Sequence, residues 1–208
     1  MHLADGVLGL PTLALSSVGA AAGIALGLRR VTPQTLPVAA LFAAVFFVIG
    51  TIHIPIGVGS VHLVLNGLIG LLLGWLAFPV IFVALLLQAL LFSFGGIAVL
   101  GANTLLLAAP AVLAHYLLRG LLQHSSPSAQ SLLFSGAMAA TIGIAGAVLI
   151  AAAMLWTTGK NALLGLIVLM SAAQIPVWLI DAAVSALVLA SLGRALPRVL
   201  RMTATRAR

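Results

Sequence analysis

Along the chain, long apolar runs alternate with short polar breaks, and each run is long enough for a helix rather than a strand. The runs fall at 12–28, 37–52, 62–77, 79–94, 104–122 and 131–156, with a last stretch from 160 to 193. None shows the alternating segments of about ten residues that a lipid-facing β-barrel needs. A helix crosses a hydrocarbon core of roughly 30 Å with about 20 apolar residues. The last stretch is too long for one ordinary span and contains Pro176, which removes a helix hydrogen bond and crowds the preceding turn. It is read as a short segment, 161–173, followed by a seventh span at 175–193. The pattern predicts an all-α integral membrane protein of about seven transmembrane helices. These form one domain over residues 1–208, with an N-terminal segment 1–11 and a tail 194–208 outside the spans.

Composition leaves no room for a soluble catalytic domain. Hydrophobic residues make up 63% of the chain and charged residues 5%, against about 25% charged in an ordinary soluble domain. The absence of cysteine removes thiolate metal sites, disulfides and thiol nucleophiles from consideration. The net charge of +7 does not point to nucleic acid, because the bases are few and confined to loops and one tail. It reports topology instead. Lys and Arg accumulate on the cytoplasmic side. With the N-terminus outside and seven spans, Arg29, Arg30, Arg119, Arg194, Arg198, Arg201, Arg206 and Arg208 lie inside and only Lys160 outside. An eighth span would put the five tail arginines outside. The residues before the first span carry Asp5 and no base, unlike the basic start of a secretory signal, so that span is retained.

On this topology the polar residues gather toward the outer face. Met1, His2, Asp5, His53, Ser60 and His62 lie there, with Asn66, Gln88, Ser93, Asn103, Thr104, Gln174 and Asp181 in the outer parts of spans or loops. Polar groups at membrane depth are costly and mark binding sites. Asn66 follows His62 by four residues and would share its helix face. His115 and His124 fall toward the cytoplasmic side and are not assigned to a site. Asp181, a single acid in a span, fits either proton coupling or pairing with a nearby donor.

The first two residues carry specific coordination chemistry. A free Met1 amine, the deprotonated His2 amide and the His2 imidazole can chelate one ion through fused five- and six-membered rings. His62, on the same side, would supply a fourth nitrogen. Tetragonal nitrogen coordination suits Ni(II) or Cu(II). The chemistry requires loss of the formyl group and retention of Met1, whose removal a bulky second residue such as His disfavours. A histidine beside an initiator methionine is also often accidental, and the dipeptide alone leaves both readings open.

Three stretches carry a resemblance. MHLADG at the start, GSVHLVLNGLIG at 59–70 and QALLFSFGGIAVLGANT at 88–104 are similar to the NikM/CbiM family, the substrate-binding membrane components of energy-coupling factor transporters for nickel and cobalt. The motifs and span order cover most of the chain. The resemblance implies that Met1, His2 and His62 bind Ni(II) or Co(II) as transported substrate and that segment 1–11 acts as a metal-binding plug. Asp5, His53, Asn66 and Asn103 are expected to orient the ligands. It further implies two ATPase subunits, a coupling transmembrane subunit and a small accessory membrane protein as partners, in the lipid bilayer of a bacterial or archaeal cytoplasmic membrane. Two departures stand out. The loop before Asn103 reads GGIAVLGAN, with apolar residues where the family often has threonines, and position 181 is Asp where Glu is common. Asp5 tilts the choice toward nickel.

The chain itself lacks a G-x-x-x-x-G-K-[ST] phosphate loop; its one Gly-Lys pair, Gly159-Lys160, falls outside. It is therefore expected to be a non-enzymatic subunit with no ATP site of its own. Ala39, Ala40, Ala43 and Ala44 form two overlapping small-xxx-small pairs, which let helix backbones approach closely. They are read either as the docking face for the coupling subunit or as ordinary internal packing. Gly19, Gly23 and Gly27 form a similar ladder, read as internal packing. A stand-alone secondary metal permease is the alternative function. It would call for paired acids or a continuous polar path through the inner half. An intramembrane enzyme is disfavoured by the absence of paired acids and of H-E-x-x-H.

Overall fold

Helices form wherever the apolar runs are long, because in lipid every backbone N–H and C=O must be satisfied within its own segment. The computed structural model describes residues 3–52, 54–56, 59–122, 128–159 and 164–195. The helices are α1 (Leu10–Leu28), α2 (Leu36–Thr51), α3 (Asn66–Leu73), α4 (Ala77–Phe92), α5 (Leu100–Leu122), α6 (Ala129–Gly159) and α7 (Leu164–Ala195). A 3-10 turn, Gly74–Leu76, joins α3 to α4. A short antiparallel hairpin, β1 (Ile54–Ile56) with β2 (Gly59–Val61), precedes α3, with Ile54 opposite Val61 and Ile56 opposite Gly59. The run pattern does not anticipate this hairpin.

The seven-span count needs correction. Among the described residues, five stretches are long and apolar enough to cross a bilayer: Leu10–Leu28, Asn66–Phe92, Leu100–Leu122, Ala129–Gly159 and Ile167–Ala195. A sixth, Leu36–Thr51, is apolar but shorter. The break expected before Pro176 is absent, and α7 continues through it for 32 residues. With no water to compete for the freed carbonyl, a long partner helix can hold a proline-containing helix together. α6 does this. Gly136 lies against the backbone of Ser185 and Ala186, and Trp178 Nε1 donates to Thr141 Oγ1 at 2.9 Å.

The run 62–77 is also not one span. Residues 62–65 are not helical, and α3 has only eight residues. It advances alongside α5: Asn66 bonds the carbonyl of Leu107, Gly70 lies against Ala111, and the Leu71 carbonyl meets His115. Gly74 then takes φ +56°, a left-handed conformation that glycine adopts without steric cost. From there α4 runs the opposite way. Its start is fixed by Trp75 Nε1 donating to Tyr116 at 2.9 Å. Its end lies beside the beginning of α5, where the loop 93–99 closes.

α5 is the central post and packs on α1, α3, α4 and α6, while α2 lies outside on α4. The ladder on α1 faces inward as expected: Gly23 receives the ring of Phe78, and Gly27 meets the Trp75 carbonyl and Pro79. Large exposed apolar residues such as Leu15, Leu41, Leu149 and Leu187 face outward, where lipid replaces protein.

Candidate metal-binding site

Residues 3–9, ahead of α1, are tied to the helix bundle. Leu3 is buried, with 2% of its area exposed. Asn103, in the first turn of α5, grips it on both sides. The Leu3 N–H donates to Asn103 Oδ1 at 2.8 Å, and Asn103 Nδ2 donates to the Leu3 carbonyl at 3.0 Å. An amide side chain can match a peptide group in this way because it carries one acceptor and donors side by side. Asp5 adds a second anchor. Its N–H donates to the Gly95 carbonyl at 3.1 Å, and its Oδ1 accepts the Val99 N–H at 3.3 Å. Gly96, at φ +112°, leaves room for that carboxylate, which a Cβ there would overlap. Gly9 N–H reaches Thr158 Oγ1 on α6 at 3.2 Å. Residues 3–9 are thus strapped across α5 and α6. Replacing Asn103 by Leu is expected to lower thermal stability measurably in detergent. It leaves both the N–H and the carbonyl of a buried residue without their partner, at a cost of about 1–3 kcal/mol per group.

The second converging segment is 62–66. His62 is largely buried, and its Nδ1 lies 3.0 Å from the Leu63 carbonyl. With the proton on Nδ1 for that bond, Nε2 carries the lone pair that a metal needs. Val64 and Leu65 present their N–H groups to the carboxylate of Asp181 on α7. Asn66 is fully buried. Its Nδ2 donates to the Leu107 carbonyl at 2.9 Å and the Gly143 carbonyl at 3.1 Å. Its Oδ1 has no hydrogen-bond partner among the described residues. Because residues 62–65 are not helical, His62 and Asn66 do not share a helix face, and that expectation is corrected. Asn66 fastens α3 to α5 and α6 instead.

The two segments meet on α5. Asn103 holds Leu3, and Leu107, one turn further on, holds Asn66. The N-terminal strap and the His62 segment are therefore anchored within a single turn of one helix. Met1, His2 and His53 lie outside the described residues. Among the described residues, no three His, Cys, Asp or Glu side chains come together as a metal site. A chelate built on chain-terminal and amide nitrogens would not present such a cluster.

Other polar residues fall into structural roles. His115 Nδ1 lies 2.9 Å from the Leu71 carbonyl and the ring sits edge-on to Tyr116. Arg119 lies over the same Tyr116 ring. Gln88, fully buried, donates to the Phe47 carbonyl at 3.2 Å and ties α4 to α2. The four alanines of α2 divide. Ala39 is buried and Ala43 packs on the core, whereas Ala40 and Ala44 are exposed. They do not form one face.

Residue patterning missed the carbonyl contacts of Asn66, the Thr158 anchor and the partners of Asp181. Only the last had a signal, in an acid lying inside an apolar run.

Comparison with known proteins points one way. A family model described as the cobalt uptake substrate-specific transmembrane region, CbiM, matches residues 2–199. A putative metal transport protein of Haemophilus influenzae is 49% identical over 203 residues, 98% of each chain. The fused nickel transport protein NikMN of Rhodobacter capsulatus is 40% identical over 114 residues, covering 52% of this chain and 33% of that protein. The cobalt transport protein CbiM of Geobacter sulfurreducens is 38% identical over 112 residues, 50% of this chain and 32% of that protein. A crystal structure of a transition metal transporter superposes over the whole of both chains with a TM-score of 0.75 at 24% identity, so the fold is shared.

Proposed function

Since the chain belongs to the CbiM/NikM family of cobalt and nickel transport proteins, we propose that it is the subunit that captures Ni(II) or Co(II) for ATP-driven uptake across the cytoplasmic membrane. The observation that carries this reading is the anchoring of the N-terminal strap and the His62 segment within one turn of α5. The captured ion takes the Met1 amine, the His2 amide and imidazole, and His62 Nε2. Asp5 and Asn103 hold the strap from which the first ligands project, and Asn66 holds the segment carrying the last. His53 completes the set of orienting groups. Planar nitrogen donors favour Ni(II), and nickel is the first choice of ion.

The membrane orientation in this reading has the N-terminus outside and the arginine-rich end inside, following the distribution of bases. Energy comes from two partner ATPase subunits acting through a coupling membrane subunit, with a small accessory membrane protein completing the assembly. The coupling subunit docks on the exposed side of α2, at Ala40 and Ala44 with Leu41 and Val48 beside them.

The test is direct. The purified full-length chain should bind one equivalent of Ni(II), and X-ray absorption should show four nitrogen neighbours in a planar arrangement. Sulfur neighbours or six oxygens would refute the site. In vesicles, uptake should require the ATPase partners and ATP. Uptake by the chain alone would instead establish a stand-alone permease.

A further inference from the structure

Asp181 is not among the proposed ligands, yet its geometry ties it to one of them. It lies midway along α7 with its side chain fully buried. A buried carboxylate is costly unless donors surround it. The donors here are peptide groups. Oδ1 accepts the N–H of Val64 and of Leu65, both at 3.2 Å, and Oδ2 accepts the Leu65 N–H at 3.0 Å. These N–H groups stand directly ahead of α3, where backbone donors have no partner in their own helix and carry the positive end of its peptide dipoles. An acid from a distant helix thus holds the N-cap residue of α3, Leu65, and the residue before it.

The backbone held in this way is unusual in itself. Leu65 takes φ +50°, a left-handed conformation rarely adopted by branched side chains. Such a conformation persists where surrounding contacts over-determine it, and the Asp181 grip is one such contact. Two residues before Val64 stands His62. The peptide between them belongs to Leu63, whose carbonyl meets His62 Nδ1. The imidazole, the Leu63 carbonyl and the gripped N–H of Val64 are consecutive links in one short run of backbone.

We propose that Asp181 is a positioning residue for metal capture: by gripping the N–H groups of Val64 and Leu65 it fixes the Leu63 peptide, and so the direction in which His62 presents Nε2. This rests on His62 being a ligand. Two acceptor oxygens are needed. An amide in the same place would turn its NH2 toward the backbone donors, so Asn cannot replace Asp. The arrangement also makes α7 a handle on the site, since displacing it from α3 would release the histidine.

The experiment compares wild-type protein with Asp181→Asn, Asp181→Glu and His62→Ala, all full-length and purified, titrated with nickel chloride and followed by calorimetry and visible absorption. Asp181→Asn should weaken Ni(II) binding by roughly tenfold to a hundredfold, the range seen when groups that orient a metal ligand are lost. At saturating nickel its absorption band should shift, because the imidazole approaches from a different angle. Asp181→Glu, which keeps both acceptor oxygens, should recover part of each. Wild-type affinity and band position in Asp181→Asn would overturn the proposal, as would a Glu variant no better than Asn. His62→Ala separates the two failures. If it binds like wild type, the metal site itself is wrong. If it loses binding while Asp181→Asn does not, only the positioning role is wrong. Should Asp181→Asn fail to fold, amide exchange in the wild-type protein carries the test. Coupling is reciprocal, so nickel should slow exchange at Val64 and Leu65, and unchanged exchange would overturn the proposal.

Discussion

Acetylating the Met1 amine, or adding two residues ahead of it, is expected to weaken Ni(II) binding by roughly a hundredfold or more, which corresponds to about 2.7 kcal/mol. The fold should survive, because the strap is held through the backbone of Leu3 and through Asp5, which neither change touches. The effect is large because the amine opens the chelate. Without it the His2 amide has no anchored metal to displace its proton, so two of four nitrogens are lost together. Two added residues are specified for a chemical reason. A single one would make His2 the third residue, and the amine, two amides and an imidazole would then complete a square without His62. Equilibrium dialysis with nickel, alongside thermal unfolding and intact mass to verify the terminus, gives the answer. Tight binding by the acetylated chain would remove the plug from the mechanism.

For stability, the largest effects are expected at the two glycines of α3. A Cβ on Gly67 would overlap the carbonyl of Ala139 in α6, and one on Gly70 would overlap the carbonyl of Ala111 in α5. Both obstacles are backbone, so no side-chain rotation relieves them. Gly67→Ala and Gly70→Ala should each destabilise by about 3 kcal/mol, the upper part of the usual range for overpacking. Gly120→Ala on α5 is the control. Among the described residues nothing lies within 4 Å of its Cβ position, and alanine there should stabilise the helix by up to about 1 kcal/mol. Thermal unfolding in detergent distinguishes the three. A Gly67→Ala protein as stable as wild type would mean that α3 is not wedged between α5 and α6.

Patterning located most helices within a few residues. The runs at 12–28, 37–52 and 131–156 became Leu10–Leu28, Leu36–Thr51 and Ala129–Gly159, because apolar length is what a bilayer selects. It failed where distant contacts decide local structure. The run 62–77 is largely apolar, but its first four residues are not helical, and two of them, Val64 and Leu65, donate to Asp181, 117 residues from Val64. Pro176 should end a helix by local rules, yet α7 runs through it and is held by α6 just beyond, at Trp178, Ser185 and Ala186. In the site, Asn103 was identifiable as a buried amide at the start of a span, whereas its partner Leu3 was not, since a peptide group leaves no mark in composition. The alanines of α2 show the limit of motif reading: identical spacing placed Ala39 inward and Ala40 outward.

The shortness of α3 bears on how the chain is made. Its eight residues cannot enter the bilayer as an independent unit, and Asn66 finds its two carbonyls 41 and 77 residues downstream. During synthesis both of these bonds are complete only once α5 and the first half of α6 have been made. Premature termination anywhere before Gly143 should therefore strand it, and truncated products should be cleared by quality-control proteases rather than accumulate as partial bundles.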